Sequence, residues 1–134
     1  MRPGPPRGDT TTLDVVVSSD MAAHAGESPP VPVCGTAALC RLVERICREV
    51  LEPHLESDEE GVGTALELAY RVPVPVGETM NLTATVAVVG PTKLVCEVLV
   101  RHAGQNVARG SFEQQLVSSS TLHEEIASRR SVPE

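Results

Sequence analysis

The chain has 134 residues, enough for one domain with a modest core, and its 41% hydrophobic content comes almost wholly from Val, Leu and Ala, with one Tyr, one Phe and no Trp. A net charge of −7 repels phosphate backbones and anionic lipid, which argues against nucleic acid and membrane as partners. No apolar run reaches the ~18 residues of a membrane span, and the opening MRPGPPRGD lacks the apolar centre of a signal peptide. The cysteines at 34, 40, 47 and 96 form no CxxC pair and have no His at metal-ligand spacing, so they are read as buried free thiols in a cytoplasmic, reducing setting with no bound metal.

Residues 1–11, rich in Pro and Gly, read as a disordered or loosely docked leader, and Thr12–Val17 (TLDVVV) as a short β-branched strand. In Ser18–Val33 the small residues and the Pro29-Pro30-Val31-Pro32 run argue against a regular element and for a long ordered loop, a kind of segment that often carries function. Gly35–Leu55 has the one sustained helical repeat: Leu39, Leu42, Val43, Ile46 and Val50 line one face, widened by Cys40, Cys47 and Leu51, with Arg41, Arg45, Arg48 and Glu52 opposite. Thr36 stands where a helix start favours a hydroxyl, and Pro53 closes the far end. Ser57–Gly61 reads as an acidic turn.

From Val62 the period changes to two, with Leu66, Leu68 and Tyr70 on one face and Ala65, Glu67 and Ala69 on the other. Pro73 and Pro75 make Arg71–Gly77 an edge, bulge or crossover piece. Three further strands follow at Thr79–Val89, Lys93–Arg101 and Val107–Val117, separated by Gly90-Pro91 and Ala103-Gly104-Gln105. Residues 118–134 read as a flexible tail with a weak helix over Leu122–Ser128. The order implies a single α+β domain over 12–117, one long helix against the apolar face of an antiparallel sheet.

With the helix first and four strands after it, with Thr36, Glu44, the GVGTALEL strand entry, the LEPHLE helix end and the later Pro-Val-Gly turn, the stretch from about Gly35 to Leu116 resembles the hot-dog thioesterases, and within them the fluoroacetyl-CoA thioesterase group. The resemblance implies a hot-dog fold in a homodimer, with an acyl-CoA or acyl-carrier thioester as substrate. Coenzyme A enters only as part of that substrate, and no separate cofactor is implied. Members use a Thr at the helix start, a Glu two turns along and a His on the next strand. Thr36 and Glu44 fall at the first two positions and Tyr70 at the third, while Phe112 and Gln114 replace a His and an Arg on the last strand. The loop before the helix is shorter and lacks the Phe that the fluoroacetyl-specific enzyme uses as a lid, so that specificity does not transfer.

Each candidate also has a structural reading. Thr36 serves as a plain cap, or its hydroxyl and the free N–H groups beside it stabilise a developing oxyanion. Glu44 lies roughly 120° from the centre of the apolar stripe, at 100° per residue, and by periodicity alone is a solvated charge; the resemblance makes it the general base or nucleophile. Tyr70 is a core-edge aromatic or a donor to the thioester carbonyl, since a phenol with pKa about 10 cannot shuttle protons at neutral pH. Gly63, Gly77, Phe112, Gln114 and His24 are candidate substrate contacts, the glycines also serving as turn or close-approach positions. Cys34, just before the helix, is a further nucleophile candidate. Hydrolysis is the leading expectation. A hot-dog domain that only binds a thioester or a partner, or that carries out a non-hydrolytic thioester reaction, is the alternative.

Overall fold

The apolar stripe of the central helix has one surface wide enough to cover it, the alternating face of the strands that follow. In the computed structural model, which describes residues 1, 3–24 and 28–130, that pairing is the architecture. Strands β1 (Thr10–Val16), β4 (Glu59–Tyr70), β5 (Thr79–Val89), β6 (Lys93–His102) and β7 (Gln105–Ser118) form one sheet in the order β1-β5-β6-β7-β4, every neighbour antiparallel. Helix α1 (Thr36–Leu51) packs on its inner face, burying Leu39, Leu42, Val43, Ile46, Val50 and Leu51 together with Ala38 and Cys47. They meet Met80, Leu82, Ala84 and Val86 of β5, Leu94, Cys96, Val98 and Val100 of β6, and Phe112 and Leu116 of β7, all buried in the same cluster. This is the hot-dog arrangement: a long helix held in a curved antiparallel sheet.

Several boundaries differ from the sequence reading. Gly35, not Thr36, is the N-cap, and no side chain caps the helix; Thr36 is its first residue. The missing cap is worth about 1 kcal/mol, whereas each fully buried aliphatic of the stripe contributes about 1.5–3 kcal/mol, so packing holds the helix without it. The α-helix stops at Leu51, and Pro53 sits inside a following 3-10 turn, Glu52–His54, where its missing N–H costs nothing. The acidic turn is shorter than expected, because β4 begins at Glu59 and buries Gly61.

The first strand starts at Thr10, and the residues before it are tied to the domain. Gly8 N donates to Val86 O (2.8 Å), Val86 N donates to Asp9 O (2.9 Å), and the ammonium of buried Met1 pairs with Glu59. The stretch read as an irregular loop contains two short strands, β2 (Ala22–Ala23) and β3 (Val31–Cys34), which pair with each other. Pro32 is tolerated because its carbonyl is the group used, accepting from Val76 N at 3.0 Å. Its residues 25–27, like Arg2 and residues 131–134, lie outside the described part. The tail carries a longer helix than expected, α2 (Ser119–Arg129), whose N-cap Ser118 accepts from Thr121 N and donates to Asp58.

Candidate active site

The first group of candidate residues gathers at the start of α1. Its opening N–H groups, those of Thr36, Ala37 and Ala38, have no acceptor among the described residues, since the helix has no side-chain cap and the first bond back to the cap is Leu39 N to Gly35 O. Thr36 is exposed beside them. Tyr70, at the end of β4, reaches under this turn: its hydroxyl donates to Cys34 O at 2.9 Å and accepts from Val74 N at 3.1 Å. The phenol thus fastens the Cys34-Gly35 approach to the helix and the Val74 connection in one place. Burial holds its pKa above the usual tyrosine value, partly opposed by the Val74 N–H. Cys34 is buried as well, and desolvation pushes its thiol up, which disfavours a thiolate nucleophile there.

A second group lines a cavity of about 360 Å³ between α1 and β4, formed by Glu44, Arg48, Gly63, Thr64, Ala65, Leu66, Phe112 and Gln114. Four of the expected residues, Glu44, Gly63, Phe112 and Gln114, therefore come together here. Gly63 allows a close approach, because a Cβ on it would lie 2.5 Å from Phe112 Cζ and the ring would have to shift. Thr64 is the extra residue of a bulge in the β4–β7 register, where Gly63 faces Gln114 and Ala65 faces Glu113. Its hydroxyl donates to Glu113 Oε2 (2.8 Å), and Lys93 of β6 pairs with Oε1 of the same carboxyl (2.9 Å); the Lys93 contact first and the Thr64 bond second hold the Glu113 carboxyl below the usual carboxylate range. Arg48 donates to Gly61 O at 2.8 Å and pairs with Glu60 and Glu52, contacts that keep its guanidinium firmly charged. Glu44 is exposed at the mouth and has no hydrogen-bond or ion-pair partner among the described residues.

Two expected contacts belong to neither group. Gly77 is a turn residue at φ +95 whose N–H donates to Val17 O at 2.7 Å, and His24 is exposed beyond the end of β2. Arg48 and Thr64 escaped the sequence reading. Arg48 had a signal, standing one turn after Glu44 on the same flank, but the Thr64 bulge is masked because alternation continues on both sides of it. Among the described residues no three His, Cys, Asp or Glu side chains cluster as metal ligands, and no helix is long and apolar enough to cross a membrane.

Residues 16–120 match the sequence model of the fluoroacetyl-CoA-specific thioesterase family. The chain belongs to that family. Its members are hot-dog thioester hydrolases, and solved structures agree on the fold. A hypothetical protein of Thermus thermophilus, described as a thioesterase superfamily member, superposes with a TM-score of 0.88 at 22% identity, covering 96% of this chain and 94% of that one. A hot-dog-like protein of Thermanaerovibrio acidaminovorans gives 0.88 and 22%, covering 96% and 95%. The fluoroacetyl-CoA thioesterase itself gives 0.85 and 22%, covering 96% and 99%. A comparison with curated protein sequences gives no match. Thr36 opens α1, Glu44 lies two turns further along it, and Tyr70 ends β4.

Proposed function

We propose that this chain is a cytoplasmic homodimeric hydrolase of acyl thioesters, carried by coenzyme A or a carrier protein, in which Glu44 draws a proton from the attacking water. The observation that carries this reading is the state of Glu44. Its helix neighbours Arg45 and Arg48 pair with Glu49, Glu52 and Glu60, yet Glu44 itself stands unpaired at the mouth of the cavity that holds Gly63, Phe112 and Gln114. An unpaired carboxylate keeps its lone pairs available to a water.

Stabilisation of the oxyanion falls to the uncapped start of α1, where the free N–H groups of Thr36, Ala37 and Ala38 and the positive end of the helix dipole converge. Thr36 Oγ1 orients the thioester beside them. These two devices are eight residues apart on one helix, about 12 Å at 1.5 Å per residue, too far for both to act on one carbonyl. A second copy resolves this, its Glu44 meeting the helix start of the first. Strand β4 supports such a contact, since it is a 12-residue edge strand bonded to β7 on one side only. Tyr70 serves here by holding the helix start in place, its single O–H being committed to Cys34 O.

The test is thiol release from a panel of short, branched and aromatic acyl-CoA and acyl-carrier substrates by the wild type and Glu44→Ala. Turnover by the wild type that falls about 10²-fold or more in the variant is expected. Thioester binding without turnover on any substrate would favour a binding module instead, a role to which the committed phenol of Tyr70 also lends itself.

A further inference from the structure

Gln114 is the one buried polar side chain among the described residues, 2% exposed on β7 between the buried Phe112 and Leu116. Glutamine is rarely placed so deeply without a reason in hydrogen bonding. Its amide nitrogen donates to Cys47 O of α1 at 3.1 Å, and since only the NH₂ end can satisfy a carbonyl, this bond fixes which way the amide points. Oε1 then faces toward Gly61, 3.4 Å from where a Cβ on that glycine would stand. It accepts no hydrogen bond among the described residues. No side-chain nitrogen or oxygen among them is both sealed and unpartnered, so this acceptor is reached by solvent, and Gln114 is among the residues that line the cavity.

The walls of that cavity leave the acceptor unanswered. The Thr64 hydroxyl is donated to Glu113, and the Arg48 guanidinium is turned to Gly61 O, Glu60 and Glu52. Glu44 stands at the mouth as the acceptor for the attacking water, the remaining lining, Gly63, Ala65, Leu66 and the Phe112 ring, is apolar, and the ring tip of Phe112 lies against Gly63 and narrows the space on that side. A ligand that expels water from this place without supplying a donor leaves Oε1 buried and unpaired, which is unfavourable; one that supplies a donor restores the bond.

Resting on the hydrolase reading above, we propose that this cavity is the acyl subsite, and that Gln114 Oε1 selects short acyl groups carrying a hydrogen-bond donor, a hydroxyl above all, over alkyl acyl groups of the same shape. A site built around such a bond discriminates strongly against the analogue that lacks it, whereas a purely apolar pocket barely rejects an added hydroxyl.

The experiment uses two matched pairs. Hydroxyacetyl-CoA and propionyl-CoA differ by a hydroxyl in place of a methyl, and their kcat/KM ratio for the wild type should favour the hydroxyacetyl ester by about tenfold or more. The non-hydrolysable thioethers S-(2-hydroxyethyl)-CoA and S-propyl-CoA, measured by calorimetry, should show the same preference in Kd. Gln114→Met, which keeps the length of the side chain and removes the acceptor, should bring both ratios to about one or below. Should that variant fail to fold, the wild-type ratios decide. Equal or reversed ratios in the wild type overturn the proposal, as does an undiminished preference in a folded Gln114→Met. Hydrolysis of both esters at equal efficiency sinks the subsite and leaves the hydrolase standing. Tighter binding of the hydroxyethyl thioether with no turnover of either ester does the reverse.

Discussion

Replacing Tyr70 by Phe removes one oxygen and nothing else, and the surroundings of that oxygen set the result. The hydroxyl donates to Cys34 O and accepts from Val74 N, and both of those residues are buried, at 1% and 0% exposure. Two hydrogen bonds are lost at about 0.5–1.5 kcal/mol each, and a buried N–H is left without an acceptor, for a total of about 2–4 kcal/mol. For a chain of this size that is a fall in Tm on the order of 10 °C. Calorimetry on Tyr70→Phe measures it, with thioester hydrolysis followed in parallel at a temperature where the variant is folded. A stable variant with abolished hydrolysis would refute the latch and return the phenol to the thioester carbonyl. The pH dependence has a definite sign as well. With the folded pKa above the unfolded one, the latch's contribution is whole below pH about 10 and is lost as pH rises through the higher folded value. Tyr70 is the single Tyr and there is no Trp, so phenolate absorbance reports this group alone, and its midpoint should lie above that of the urea-unfolded chain.

Gly110→Ala should destabilise more than Gly63→Ala in urea denaturation. The new methyl at 110 meets the Glu67 carbonyl at 2.3 Å, backbone that cannot rotate away, whereas at 63 it meets the end of the Phe112 ring; about 3 kcal/mol or more against about 1–3 kcal/mol is expected. Of the four thiols, one should react quickly with a disulfide reagent in the native protein and three only on unfolding, because Cys40 is half-buried while Cys34, Cys47 and Cys96 are buried. The hydrogen bond with Cys96 and burial both push the Cys47 thiol up, which slows it further. Glu44→Gln should leave Tm within about 1 °C, since an exposed, unpaired carboxylate contributes little to stability.

The helix and the four long strands were legible because their apolar periodicity is the cause of the packing. Leu39, Leu42, Val43, Ile46 and Val50 are all buried, and the alternation of β6 and of β5 as far as Val86 matches their burial; Val88, expected on the same inner face, is 49% exposed because a bulge shifts the β5–β6 register between Val86 and Val88. Strand β3 was not, because a Pro-rich stretch shows no ladder donors, and its pairing uses Pro32 O and Cys34 N against a distant connection. The extent of α2 depends on Asp58, sixty positions away in the chain, and no local pattern reveals that. At the site, periodicity alone makes Glu44 an ordinary solvated charge and Gln114 an ordinary strand position. Family resemblance named both, but the free state of one and the half-satisfied amide of the other appear only once α1, β4 and β7 are assembled.

The spacing of Thr36 and Glu44 along one rigid helix also has a genetic consequence. On the proposed dimer each chain lends an anchoring end to one site and a proton acceptor to the other. A chain damaged at the helix start and a chain damaged at Glu44, each inactive alone, would complement one another when made together, since the mixed pair retains one site with both parts intact.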